Sequence, residues 1–148
     1  GNYSEIYALY EDCYRNSGVD ADDALDIEKI SEISVKLAQY YGTIILASGK
    51  TDIVTDGKKM VYIHNGTIQM TQLTGTGCLL GVLCGCFLSV EKNINALITA
   101  CAVLGICGQI SETEKGNGSF LVNLINNLTV LSDLQVEKLL NIEVKYNE

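Results

Sequence analysis

Thr74-Gly75-Thr76-Gly77-Cys78-Leu79-Leu80-Gly81 sets two glycines, two hydroxyls and a thiol at the mouth of an apolar helical run. A helix start leaves its first backbone N–H groups without internal partners, and the macrodipole adds partial positive charge there. Glycines at 75 and 77 carry no Cβ to hold a bulky anion off that backbone. A phosphate can then rest on the peptide N–H groups, with Cys78 presented from the first helical turn. The same positive end favours a thiolate, which makes Cys78 a candidate base or nucleophile. A plain strand-to-helix turn with a buried cysteine fits the same residues, and the motif alone leaves both readings open.

Asn2-x-x-Glu5 puts a carboxamide and a carboxylate one helical turn apart, on one face of a helix start. One reading is an N-cap with a capping-box glutamate. The other is a site for Mg²⁺ and its waters near phosphates, since magnesium takes carboxylate oxygen directly or through water. Gly49-Lys50-Thr51 imitates the end of a P-loop. The full pattern needs an earlier glycine where this chain has Ile44, and a helix rather than a strand should follow. It reads as the mouth of a β-turn. His64 is the only histidine and has no adjacent serine nucleophile, so a hydrolytic triad is unsupported and a strand-end role is expected. Asp56 reads as a turn former, and Asp20, Asp22 and Asp23 as a solvated loop, because no EF-hand ligand pattern surrounds them.

The elements that must hold these groups follow from periodicity and turn chemistry. Ile6–Tyr14 is a predicted helix with Ile6, Leu9, Tyr10 and Cys13 on one face, and Ser17–Asp23 a polar turn. Asp26–Tyr41 is a second helix, ended by Gly42. Thr43–Ala47 reads as a buried strand. Asp56-Gly57 and Asn65-Gly66 are hairpin signals, so Thr51–Thr55, Lys59–His64 and Thr67–Leu73 are predicted to form an antiparallel meander. Helices are then expected from Cys78 to about Ser89 and over Ile94–Ile110, Phe120–Leu131 and Leu134–Leu140. The fold class is α/β, a layered sheet with helices on its faces.

Composition narrows the partners. The chain has 148 residues, 47% hydrophobic and 19% charged, which suits a globular domain. Its formal net charge of -8 disfavours nucleic acid and anionic membrane surfaces. The apolar runs Cys78–Val90 and Asn95–Ile110 both read as too short to span a bilayer, which takes about 18 apolar residues or more. Gly81 and Gly85 form a G-x-x-x-G, read here as a site of close helix packing. Four cysteines (Cys84, Cys86, Cys101, Cys107) lie in apolar helical patterns without a C-x-x-C pair. They are expected to be buried thiols of a reducing, cytoplasmic protein. Gly1, with no initiator methionine, reads as a cut into a longer protein.

An ordered set of motifs carries a family resemblance: Gly1-Asn2-x-x-Glu5, Gly18-Val19-Asp20, the run Ser48–Gly57 (SGKTDIVTDG), and Thr74-Gly75-Thr76-Gly77-Cys78. From Gly1 through about Leu131 the chain resembles the hydroxyethylthiazole kinases, thiazole-salvage enzymes of thiamine biosynthesis with a ribokinase-like fold. In the wider ribokinase-like group the anion-hole motif usually ends in aspartate. Cys78 followed by Leu-Leu-Gly is similar to the thiazole kinases in particular.

The resemblance implies ATP-dependent phosphorylation of the hydroxyl of 4-methyl-5-(2-hydroxyethyl)thiazole, with Mg²⁺ as cofactor. By the same resemblance Asn2 and Ser48 lie at ATP, Glu5 helps organise Mg²⁺, and Gly75 touches the thiazole. Gly75, Thr76 and Gly77 form the anion hole with Cys78, which stands in for the usual catalytic aspartate. The family's chains are close to twice this length, so residues 1–148 are expected to be the C-terminal part of a single kinase domain. A homotrimer with sites at subunit interfaces is implied, as is an N-terminal half that could arrive as a separate chain. The chain alone is then expected to be inactive. The rival expectations are a non-catalytic assembly fragment and a kinase of another small alcohol, such as a hydroxymethylpyrimidine.

Overall fold

A computed structural model describes residues 1–14 and 26–146. The Ser17–Asp23 turn, the Gly18-Val19-Asp20 motif and the Asp20, Asp22 and Asp23 cluster lie outside the described residues, as does the side chain of Cys13. The chain divides into two compact units, Gly1–Tyr62 with Val144–Glu148, and Ile63–Glu143.

The first unit begins with α1 (Tyr3–Tyr14) and α2 (Ile27–Tyr41). Asp26 starts α2 by accepting the Lys29 N–H at 2.7 Å. Gly42 ends it in the left-handed region (φ 59), donating its N–H to Ala38 O. The strands are β1 (Ile45–Ala47), β2 (Asp52–Thr55), β3 (Lys59–Ile63) and β4 (Ile142–Tyr146), neighbours in that order in one sheet. β1 pairs antiparallel with β2, Ile45 facing Thr55 and Ala47 facing Ile53. The core of this unit is Ile6 of α1, the stripe Ile30, Ile33 and Leu37 of α2, and Ile45, Ala47, Ile53, Met60 and Tyr62 of the strands. Burying each of its larger aliphatic side chains contributes about 1.5–3 kcal/mol. Asp56 forms the β2–β3 turn as expected, its Oδ1 accepting from Lys58 N (2.9 Å) and Lys59 N (2.8 Å). Those N–H groups, with Lys59 the largest influence, hold its carboxyl below the usual carboxylate range. His64 lies exposed just past β3, its N–H donated to Asn141 O at 2.9 Å.

The second unit holds a 3-10 helix (Ile68–Gln72), α3 (Thr76–Val90), α4 (Ile94–Ser111), α5 (Asn117–Val130) and α6 (Asp133–Leu139). α4 packs against both α3 and α5. Leu97, Cys101, Leu104, Ile106, Cys107, Phe120 and Leu124 are buried there. Asn93 caps α4 through Asn95 N and Ala96 N, and Ser132 with Gln135 makes a capping box for α6.

The predicted third meander strand, Thr67–Leu73, is wrong. Thr67 Oγ1 and Thr67 O instead accept from Gln69 N (3.4 Å) and Met70 N (3.1 Å), winding the segment into the 3-10 helix. Gln69 is then anchored to Thr113 by two bonds, Nε2 to Thr113 O (3.0 Å) and Thr113 N to Oε1 (3.1 Å). The strand beside β3 is β4, from the far end of the chain, which the sequence reading did not predict.

Three smaller corrections share a cause, the difference between apolar composition and actual burial. Cys101 and Cys107 are buried thiols as expected, but Cys84 is only half-buried and Cys86 is exposed. Among the described residues Gly81 and Gly85 make no close packing, since a Cβ at either would meet nothing there within 4 Å. Close approach happens at α4, where a Cβ on Gly105 would strike Asn65 O at 2.7 Å and one on Gly108 would strike the Met70 sulfur. α4 is also long and apolar enough by length and composition to cross a membrane, contrary to the reading of its run as short. Most of that span is buried against its neighbours.

Candidate functional site

In the first unit the structure brings Asn2, Glu5 and Ser48 together. Asn2 Oδ1 accepts from Glu5 N at 2.9 Å and Glu5 Oε2 accepts from Asn2 N at 2.7 Å, a reciprocal capping box at the start of α1. The cap reading of this motif is therefore met in full, and it leaves the Glu5 carboxylate exposed. Residues 1–2 run parallel to the end of β1, with Asn2 bridged to Ser48 and Ser48 N donated to Gly1 O at 2.9 Å. Gly49–Thr51 is the bend expected in place of a P-loop. Gly49 N donates to Asp52 Oδ1 at 3.0 Å, and the Tyr3 hydroxyl donates to Thr51 O at 2.6 Å. Tyr3 and Asp52 are the supporting side chains that motif reading missed. The available signal was an aromatic residue set inside the Asn2-x-x-Glu5 motif.

In the second unit Gly75, Thr76, Gly77 and Cys78 form the start of α3. Gly75 is the N-cap at φ 105 and ψ -7, a left-handed conformation that a Cβ would disfavour, and no side chain caps the helix. The first backbone bond of α3 is Leu79 N to Gly75 O at 2.9 Å, so the N–H groups of Thr76, Gly77 and Cys78 point ahead of the helix. Gly75, Gly77 and Cys78 are exposed, and a Cβ at either glycine would meet nothing within 4 Å among the described residues. The Thr76 hydroxyl turns back toward the 3-10 segment, near Met70 O (3.4 Å) and Leu73 O (3.5 Å). Its backbone N–H, not its side chain, is what the turn presents. This is an open row of N–H donors at a helix dipole, with a thiol on the first turn. It can hold an anion and offer a proton acceptor beside it.

Among the described residues no three His, Cys, Asp or Glu side chains gather to hold a metal. Glu5 and Asn2 offer hard oxygen atoms, which suits a magnesium ion carried mainly by waters and substrate phosphates rather than a closed protein cage.

The fold defines a class first. A solved structure titled as hydroxyethylthiazole kinase protein from Pyrococcus horikoshii OT3 matches with a TM-score of 0.85 and 25% identity, covering 98% of this chain and 53% of that one. The architecture is ribokinase-like α/β. A sequence model of the Hydroxyethylthiazole kinase family matches residues 1–134, and the chain belongs to that family. Proteins named hydroxyethylthiazole kinase are similar to it at 35% identity in Actinobacillus succinogenes and 37% in Arabidopsis thaliana, over 92% and 96% of this chain. A third, from Pyrococcus furiosus, is 32% identical over 97% of this chain. The chain spans about half the length of these relatives, 52% of the first two and 54% of the third.

Proposed function

We propose that this chain supplies the ATP and anion-hole side of a hydroxyethylthiazole kinase, which phosphorylates the hydroxyl of 4-methyl-5-(2-hydroxyethyl)thiazole in thiamine salvage. The observation that carries the reading is the uncapped, left-handed Gly75 start of α3, with three N–H groups free of helix-internal partners. Family membership and the relatives' names support the chemistry. Mg²⁺ bound with ATP would supply charge neutralisation at the phosphate oxygens, and Glu5 would help hold it.

The residues divide the work as follows. Asn2 and Ser48 sit at the nucleotide, and Gly75 borders the thiazole. The N–H groups of Thr76, Gly77 and Cys78 face the phosphoryl group being transferred, whose charge they stabilise. Donors of this kind are worth about 3 kcal/mol each by analogy with oxyanion holes. The substrate oxygen forms a bond to the γ-phosphorus as the bond to ADP breaks, and Cys78 Sγ accepts the hydroxyl proton. Most of the acceleration comes from positioning and charge, because phosphoryl transfer needs little covalent work from the protein. A cytoplasmic location belongs to the same reading, and the net charge of -8 speaks against nucleic-acid and anionic-membrane partners.

A second observation favours assembly with further polypeptide. α3 is apolar along its length, yet Leu80 alone of its residues is buried, with Val82 at 62% and Val90 at 86% exposure. An apolar face of this kind suits a protein interface, either the homotrimer or a complementing N-terminal half supplied as a separate chain. Thiazole phosphorylation is measured for this chain alone and mixed with the N-terminal half of a relative. Activity on mixing supports the kinase reading, and none under either condition favours a non-catalytic assembly fragment. In the active mixture Cys78→Ala is expected to lower kcat by at least about a hundredfold, the lower range for general acid–base catalysis. Unchanged turnover would remove Cys78 from the chemistry. A panel of small alcohols, hydroxymethylpyrimidine included, tests the substrate.

A further inference from the structure

Ser48 carries its proposed nucleotide contact on a turn that the first helix of the chain holds in place. Tyr3 stands directly after Asn2, and its hydroxyl reaches across to donate to Thr51 O at 2.6 Å. Its ring covers Gly49 so closely that a Cβ there would come within 2.8 Å of two ring carbons. Gly49 is not among the glycines with positive φ, so its missing side chain answers to the ring and not to a backbone need. The same turn is tied at Ser48 N to Gly1 O (2.9 Å) and at Gly49 N to Asp52 Oδ1 (3.0 Å). Burial, then the Asp52 carboxylate, pushes the Tyr3 phenol up to about 12, so it stays a donor at neutral pH.

We propose that Tyr3 is a positioning residue for the nucleotide: its hydroxyl and ring set the Ser48–Thr51 turn, and through it the placement of Ser48 against ATP. The inference rests on the reading of Ser48 as an ATP contact, and it adds the residue that fixes the geometry of that contact. Half-buried Tyr3 also packs against the core of the first unit. Tyr3→Phe keeps that packing and deletes only the hydroxyl bond, which separates positioning from stability.

The test is isothermal titration of this chain with the non-hydrolysable analogue AMP-PNP and Mg²⁺, alongside thermal unfolding. Tyr3→Phe is expected to weaken binding by about two- to tenfold, the worth of one hydrogen bond, at nearly unchanged Tm. Gly49→Ala, which drives the ring away, is expected to weaken it further. Tyr3→Ala combined with Gly49→Ala should bind more tightly than Gly49→Ala alone, because the clash is gone. Ser48→Ala is the reference. If it weakens binding while Tyr3→Phe binds like the wild type, the positioning role is overturned and the nucleotide reading stands. If Tyr3→Phe lowers Tm without touching affinity, Tyr3 is a packing residue only. No binding by the wild type, or Ser48→Ala binding at wild-type strength, overturns the nucleotide reading and the inference resting on it.

Discussion

The two places where this chain offers chemistry are built in opposite ways. Around Asn2 and Ser48 the turn and helix start are bonded within the protein: the Asn2 and Glu5 side chains cap each other's N–H groups, and Ser48 N, Gly49 N and Thr51 O are all bonded. The Gly75–Cys78 turn leaves its leading N–H groups, its glycines and its thiol open. Satisfied groups fix geometry, whereas unsatisfied ones keep their bonding capacity for a ligand. The first region is therefore built as a frame, and the second keeps open the donors that a proposed receptor needs. The lesson extends to mutation, because loss of a backbone cap in the frame should act on stability and changes in the open turn on binding.

The largest departure from that rule is expected at Gly75, where the receptor depends on a conformation that a side chain resists. Gly75→Val should cost about 1–3 kcal/mol of stability, the usual strain of a residue forced into this region. Urea unfolding measures it, and an unchanged midpoint would show that the turn can relax. In the frame, Asn2→Ala removes the acceptor for Glu5 N and should cost about 1 kcal/mol, read as a lower Tm with loss of helical signal. Gly77→Ala sharpens the contrast. Its Cβ meets open space and its φ is not positive, so the fold should be unharmed or gain at most about 1 kcal/mol. Anion binding should fall all the same, because the methyl group would stand where the proposed phosphate approaches. A variant that lost stability instead would mean that the turn is structural.

The smallest effects belong to pH, through two groups of the first unit, Asp56 and Tyr3. The Asp56 carboxyl sits below its ordinary value of 3.8 in the folded chain. Its contribution is present above that value and is lost as pH falls through the folded pKa. Tyr3 is raised from 10.0 to about 12. Its contribution is complete below pH 10.0 and is lost as pH rises toward about 12. The melting temperatures of wild type and Tyr3→Phe should therefore be nearly equal below pH 10.0, with the wild type falling relative to the variant as pH rises toward about 12.

Much of this was legible residue by residue. Asp26 and Gly42 bound α2, Asp56-Gly57 made its hairpin turn, and Asn2-x-x-Glu5 formed the capping box its spacing allowed. These succeed because a cap or tight turn is decided within four residues by local bonds. Thr67–Leu73 failed for the converse reason. The Asn65-Gly66 signal suggested a strand there, but Gln69 found Thr113 and Met70 found the gap at Gly108, both distant in sequence.

What the sequence determined by itself was local: where helices start and stop, which residue must be glycine, and which family's motifs stand in order. Tertiary structure alone decided that β4 rather than 67–73 lies beside β3. It also decided that Gly105 and Gly108 are the tight contacts rather than Gly81 and Gly85, and that Tyr3 reaches Thr51. Each of these joins residues far apart along the chain, and such contacts depend on which surfaces remain to be buried once local elements have formed. Periodicity carries no record of that choice.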